Sequence, residues 1–428
     1  MDLKISACLL LQTIGEVESQ DNQNEDQVNS KLHSNPSPTQ NFSSQILDTL
    51  FNPLVMMICN CPIDDTETKV SLDKTPQNAA FSCLSYLAKA ADSSALEPIF
   101  AFVEENGTNE DWRFRFCSIL LLNAATRLPS FNDESNTNYM TVFNFFIQMI
   151  SDPITRIVEA SFWSLGQIIQ KNPKLVLDAE RFEMICNQIP SVLLSSPNLE
   201  SRCCWLLHII FIAFKDCDEE TAQLLGANFD QFADMLLVAG ESTDADTVCY
   251  AYAAINDLVL FAPNGIVEEY NRLFEKITAI LVGIISESEG KLNTALELNR
   301  TKGICMILET ITMFVGDRIA QIADQLMNTL FQLLQTSNGI LIPEVLPCIG
   351  AVARAIKDQF ASYAEELIPL LYNLLQSPEY IQPASFLIGD LYSSLESIPK
   401  EVTDNFVQSL LEAYNQDDLS NETRNQIL

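Results

Sequence analysis

The sequence predicts an all-α protein, built as a right-handed α-solenoid superhelix of stacked helix pairs. Three observations support this fold class. The 428 residues include only 13 glycines and 18 prolines, too few for a loop-rich β protein. The apolar residues recur at helical rather than alternating spacing. A unit of roughly forty residues repeats along the chain, and a period of this length is typical of helical repeat arrays.

The repeat is clearest where aromatic and basic residues return at matching places in successive units. Trp163 and Trp205 lie 42 residues apart, and Arg115 and Arg156 lie 41 residues apart. Each unit joins two helices through a turn with Ser, Asn, Asp or Pro, which stop one helix and cap the next. About nine such pairs fit in the chain, with the length and two-helix plan of HEAT repeats.

The first helix of each pair is long and amphipathic, as in the segment 318–335. Ile319, Ile322, Leu326 and Leu330 in this segment recur at spacings of three and four residues. Such spacing places apolar side chains on one face of a helix. We therefore predict that all four side chains are buried.

The second helix of each pair is rich in small residues, including Gly166, Gly350 and Gly389. Glycine inside a helix is less favourable than alanine by about 1 kcal/mol, so we expect these positions to allow close approach of neighbouring helices. Stacked pairs then share one continuous core. We predict a single solenoid over residues 1–428, with residues 19–43 as a polar loop between helices. Neither end has a polar capping repeat, so we expect truncation at both ends.

The formal net charge of −33 predicts which partners the surface attracts. An acidic surface repels nucleic acid and anionic membranes, because phosphate binding needs Lys and Arg, and it attracts basic polypeptides. The alternative is that the acidic residues only keep the scaffold soluble. The longest apolar run, residues 205–214, is too short to span a bilayer. The sequence thus predicts neither a nucleic-acid partner nor membrane insertion.

The residue inventory argues against catalysis. Only two histidines occur, His33 and His208, and the chain has no Gly-rich phosphate loop, HExxH or GxSxG motif. The 12 cysteines form no CxxC pair, which argues against a metal site. Several, such as Cys83, Cys249 and Cys348, lie in apolar helical stretches and are predicted core residues of a reducing compartment. We predict that the protein is not an enzyme and needs no cofactor or metal.

Trp163 and Trp205 are the candidate ligand-binding residues. Both lie in second helices, which line the concave face of HEAT stacks. Glu159 and Gln167 lie four residues before and after Trp163, and Ser201 lies four residues before Trp205. An indole beside a carboxylate suits an Arg or Lys side chain, with about 0.5–2 kcal/mol from cation–π stacking. The alternative is that both indoles belong to the ordinary core between helices.

Three segments resemble the central repeats of the importin-beta family of nuclear import receptors. They are EDWRFRFCSILL at 110–121, TRIVEASFWSLGQIIQKNP at 155–173 and ESRCCWLLHIIF at 200–211. More generic helices extend the resemblance over essentially the whole chain. It implies that Trp163 and Trp205 bind the basic segment of an importin-alpha-type adaptor or basic cargo. It also implies Phe-Gly nucleoporins and the GTPase Ran as partners, and a location in the cytoplasm, the nucleus and the nuclear pore.

The chain departs from the family pattern in its acidic loop, which in the family regulates Ran binding. Here the equivalent stretch contains only Asp64, Asp65, Glu67 and Asp73 as acids, and Lys74 stands where the family has a groove tryptophan. We expect the family's N-terminal repeats, which carry the main Ran contact, and its last repeats to be missing here. The alternative class is a structural scaffold such as a phosphatase regulatory HEAT subunit, which binds partners through ridge loops.

Overall fold

A computed structural model describes residues 5–16, 42–60, 75–132, 138–195, 199–287, 292, 294–415 and 424. The chain divides into two compact units, Met1–Ala213 and Phe214–Leu428. Both are built of helices, with no strand among the residues just named. The predicted all-α, HEAT-type fold is confirmed. The single solenoid and its truncated ends stay predictions, and the predicted loop 19–43 lies outside the described residues except for its last two positions.

Unit 1 contains four helix pairs and a preceding helix, α1, at residues 5–16. The pairs are α2 (Phe42–Cys59) with α3 (Pro76–Ala91), α4 (Ser93–Asn106) with α5 (Trp112–Ala125), α6 (Asn138–Met149) with α7 (Thr155–Lys171), and α8 (Ala179–Cys186) and α9 (Ile189–Ser195) with α10 (Glu200–Ile212). The second helices α3, α5, α7 and α10 pack on one another in chain order. They form the row that presents both candidate tryptophans.

Unit 2 repeats the plan with four pairs and a final helix. The pairs are α11 (Glu219–Ala227) and α12 (Phe229–Ala239) with α13 (Ala245–Phe261), α14 (Val267–Glu287) with α15 (Ala295–Val315), α16 (Ala323–Thr336) with α17 (Ile342–Ile356), and α18 (Ala361–Leu374) with α19 (Ile381–Ser394); α20 (Lys400–Tyr414) follows. The second helices α13, α15, α17 and α19 again pack in chain order. The described residues thus hold eight complete pairs, close to the nine expected.

Polar residues in the turns begin the helices, as the turn composition predicts. The Asp111 side chain accepts a hydrogen bond from a backbone N–H in the first turn of α5, and Asp218 does the same for α11. Thr294 and Glu297 form a reciprocal capping box at the start of α15. These contacts satisfy N–H groups that have no partner within the helix.

The apolar face predicted over 318–335 is only partly correct. Ile319, Leu326 and Leu330 are buried, whereas Ile322 is 36% exposed. The segment is not one α-helix, because a 3₁₀ turn covers Gly316–Gln321 before α16 begins at Ala323. A 3₁₀ turn has three residues per turn rather than 3.6, so the helical register changes at Ile322 and turns its side chain away from the core.

The three predicted close-packing glycines have different surroundings. A Cβ atom on Gly166 would collide with the Trp205 ring, and one on Gly350 would collide with the Asp390 carboxylate. A Cβ on Gly389 would meet no atom within 4 Å. Close approach therefore explains the first two glycines, and the prediction for Gly389 is wrong because its face of α19 is open.

Most cysteines are core residues, as predicted. Cys83 and Cys348 are buried, and burial raises the pKa of the Cys83 thiol to about 12. The Cys348 thiol of α17 donates to the Cys305 carbonyl of α15, with 2.9 Å between Sγ and O. Cys249 is exposed on α13, so its predicted core position is wrong. Among the described helices, none is both long and apolar enough to cross a membrane.

Candidate binding site on the second helices

Trp163 lies in the middle of α7 and is half-buried. The guanidinium carbon of Arg127 lies 5.1 Å from the centre of its ring, a cation–π contact. Arg127 follows the end of α5, the preceding second helix. The indole therefore does stack on a guanidinium, as its chemistry predicts, but the cation comes from the protein itself.

Trp205 lies in α10 and is also half-buried. The six-membered part of its indole occupies the space beside Gly166, which lies three residues after Trp163 on α7. One tryptophan ring therefore joins the two helices and keeps part of its surface accessible. Neither indole is a fully buried core side chain, and each has a structural contact as well as an accessible part.

The polar residues predicted around the tryptophans have partners within unit 1. The Glu159 carboxylate forms an ion pair with Arg202 of α10, with 3.5 Å between Oε1 and Nε. Both side chains are about one-third exposed or more. Gln167 donates to Gln170 on the same helix at 3.3 Å. Ser201 is half-buried at the start of α10. Glu159 thus lies near Trp163 on α7, as predicted, but already neutralises a cation.

The predicted acidic loop cannot be placed on this site. Its residues, Asp64, Asp65, Glu67 and Asp73, lie outside the described residues together with Lys74. Besides Glu159 and Arg202, charges near Trp163 come from the ends of the second helices. Partial burial lowers the pKa of the Lys171 ammonium, and the positive charges of Arg127 and Lys89 lower it further. The sequence reasoning missed this group, although each member could be recognised as a cation at the end of a predicted second helix.

Unit 2 presents acidic and apolar side chains along its own second helices. Met306 and Met313 of α15 are 38% and 53% exposed, and the half-buried Glu309 lies between them in the helix. The three recur at spacings of three and four residues and so share one face. On the neighbouring helices, Arg354 of α17 pairs with Asp390 of α19. This face combines apolar surface with negative charge.

Partial burial raises the pKa of Glu309; the nearby Arg354 lowers it and Asp390 raises it. A raised folded-state pKa favours folding while the group is protonated, and this contribution is lost as pH rises through the folded-state value. We therefore expect Glu309→Gln to increase the free energy of unfolding at pH 7 and to leave it nearly unchanged at pH 4. Urea unfolding of the wild type and of Glu309→Gln at pH 7 and pH 4 measures this change in the free energy of unfolding. Glu275→Gln, at an exposed position of α14, is the control; an equal gain there would contradict the prediction.

These features define a helical-repeat protein that presents half-buried indoles and charged side chains on stacked second helices. No cluster of three His, Cys, Asp or Glu side chains suited to a metal occurs among the described residues. A family profile described as importin subunit beta-1-like, TPR repeats, matches residues 185–428, more than half of the chain. The chain belongs to this importin subunit beta-1-like family, whose members are transport receptors and not enzymes.

Individual relatives agree with the family assignment. Importin subunit beta-1 of Schizosaccharomyces pombe is 24% identical over 374 residues, covering 84% of this chain and 42% of the relative. Three solved structures of Kap95p, the yeast importin-beta, share the fold at 18% identity. The structure of Kap95p binding RanGDP has a TM-score of 0.79 and covers 96% of this chain and 48% of Kap95p. The Kap95:Nup1 complex has a TM-score of 0.81, and the match covers 99% of this chain and 50% of Kap95. The chain spans less than half the length of the fission yeast relative.

Proposed function

We propose that this chain acts in nuclear import as an importin-beta-type receptor that binds basic import signals or the basic segment of an importin-alpha-type adaptor. The observation that supports this most directly is the pair of half-buried, partly accessible indoles, Trp163 and Trp205, on consecutive second helices. An aromatic side chain held in place by the scaffold contributes contact area with little loss of conformational entropy. The ligand cation stacks on the accessible indole surface, and its charge is attracted by the net charge of −33.

Charged groups next to the indoles give the ligand further partners. A ligand Arg would replace Arg202 at the Glu159 carboxylate, since the existing pair is partly exposed and its contact is long at 3.5 Å. In unit 2, Met306, Glu309 and Met313 form an apolar and acidic face suited to a basic amphipathic helix. We therefore expect a ligand with an Arg/Lys-rich segment and an amphipathic helix.

The further partners follow from the relatives. Kap95p is solved with Ran and with Nup1, a nucleoporin. We propose that this chain contributes to binding of Ran and of Phe-Gly nucleoporins, with the segment from Asp64 to Asp73 regulating Ran binding. We also propose a location that alternates between cytoplasm and nucleus through the nuclear pore. No membrane insertion and no nucleic-acid partner are proposed.

A peptide titration tests the proposed site. A fluorescent Arg/Lys-rich helical peptide is titrated with the wild-type chain and with Trp163→Ala/Trp205→Ala, and its anisotropy is measured. We expect the double variant to bind at least about tenfold more weakly, because interface tryptophans commonly contribute about 2 kcal/mol or more.

Trp112→Ala is the matched control because it also removes a half-buried indole, whose centroid lies 6.2 Å from that of Phe116. It should bind the peptide like the wild type. If the double variant also binds like the wild type, the site is wrong, and the scaffold alternative, with ridge loops as the binding surface of a phosphatase-type regulatory subunit, is favoured.

A further inference from the structure

Three cations meet at the ends of three consecutive second helices in unit 1. Lys89 lies in the last turn of α3, Arg127 follows α5, and Lys171 is the last residue of α7. Because these helices pack in chain order, their ends are close enough for Arg127 and Lys89 to act on the charge of Lys171. We call these three residues the cationic rim.

The cationic rim contains no ion pair within the part of the chain that the structure describes. None of the ion pairs there includes Lys89, Arg127 or Lys171, although Arg115 and Arg202 of the same unit each pair with a carboxylate. The acid nearest in sequence, Asp92, accepts a hydrogen bond from the backbone N–H of Ser130 at 2.9 Å, so one carboxylate lies near the segment after α5 against the three cations.

Stabilisation of helix ends does not account for the whole cationic rim. A single cation near a helix C-terminus is favourable because it complements the helix dipole, and the Lys171 ammonium does donate to the Thr126 carbonyl, with 2.6 Å between Nζ and O. Arg127, however, stacks on the Trp163 ring. Bringing three like charges together also raises the free energy of the folded state, and an opposite charge supplied from outside would offset this.

We propose that the cationic rim binds an acidic segment of a protein partner, with two or three Asp or Glu carboxylates facing Lys89, Arg127 and Lys171. The Trp163 ring beside Arg127 supplies apolar surface for the residue next to the carboxylates. A short peptide fits better than nucleic acid, because the net charge of −33 repels an extended polyanion beyond the rim. This surface borders the proposed site for basic ligands at Trp163 and carries the opposite charge, so one receptor would bind both acidic and basic segments.

Two variants test the proposal in the full chain. A fluorescent Glu/Asp-rich peptide with one Leu or Phe is titrated by anisotropy. We expect Lys89→Gln and Arg127→Gln each to weaken binding about two- to fivefold and the double variant about tenfold, as for partly exposed ion pairs. Affinity should fall as salt increases. Lys171→Arg keeps the charge and should bind within about twofold of the wild type.

Lys400→Gln is the matched control, because it removes the same charge at an exposed position in unit 2. Equal weakening by Lys400→Gln would overturn the proposal, since the effect would then come from net charge alone. Single-stranded DNA that competes as well as the peptide, with the same dependence on the rim, would also overturn it. Trp205→Ala should leave binding of the acidic peptide unaffected and weaken only binding of the basic peptide. A failure of the cationic-rim proposal can therefore be distinguished from a failure of the proposed import site.

Discussion

Replacing Arg115 with methionine is expected to lower the local free energy of unfolding of α5 and α7 by about 3–5 kcal/mol. The guanidinium makes two hydrogen bonds to Asp152, at 2.8 and 3.0 Å, and a third at 2.6 Å to the Asn109 carbonyl. The two side chains are only 13% and 6% exposed. Removal of Arg115 leaves a buried carboxylate with no cation, and the pair joins two successive helix pairs. Hydrogen exchange of the α5 and α7 amides measures the loss.

Arg113→Met is the control, because the Arg113 side chain is more exposed, at 31%, and its Asp111 partner at 38%. We expect a change of about 1 kcal/mol or less there. Arg115→Met/Asp152→Leu should recover part of the loss, since no unpaired charge remains; recovery is incomplete because Asp152 also accepts the Ile154 N–H at 2.9 Å. Equal losses for Arg113→Met and Arg115→Met would contradict the assignment.

The Gly166→Ala substitution is expected to lower the free energy of unfolding when Trp205 is present and to raise it when Trp205 is replaced by alanine. With the indole present, the new methyl group collides with the ring, and we expect a loss of about 1–3 kcal/mol. In a Trp205→Ala background the space is free, and the same substitution should add about 0.5–1 kcal/mol through helix propensity. Urea unfolding of the four chains completes the double-mutant cycle.

Gly389→Ala serves as the control for this cycle, because a Cβ atom at this position would have no atom within 4 Å. It should stabilise the chain by about 0.5–1 kcal/mol in either background. Peptide binding gives a second readout: Gly166→Ala pushes the Trp205 ring from its place and should weaken the basic peptide, whereas Gly389→Ala should not. A loss from Gly166→Ala that persists without the indole would show that Trp205 does not fill this space.

The helix pairs and their core could be predicted because both depend on local spacing. The apolar period, the turn residues and the small side chain at Gly166 each reflect contacts within a helix or with its neighbour. The burial of Ile322 was predicted wrongly, because the 3₁₀ turn before α16 shifts the helical register without changing the spacing of apolar residues in the sequence. Gly389 was predicted wrongly because glycine alone does not distinguish a close approach from an open face.

The residues of the candidate site were predicted more completely than their partners. Trp163 and Glu159 lie near each other on α7 with partly accessible side chains, as their spacing predicts. Arg127 on the indole comes from the turn after α5, and Arg202 at the carboxylate comes from α10; they are 36 and 43 residues away in sequence. Such pairings depend on how far one helix is rotated against the next, which a repeat period of about forty residues does not determine.

The buried cysteines can report how often the native protein opens. The Cys348 thiol reaches the Cys305 carbonyl on the adjacent second helix, so a thiol reagent can react with it only after the two repeats separate or unfold. Cys249, exposed on α13, reacts without this delay and sets the reference rate. The ratio of the two labelling rates measures how often neighbouring repeats separate in the native chain, with no mutation.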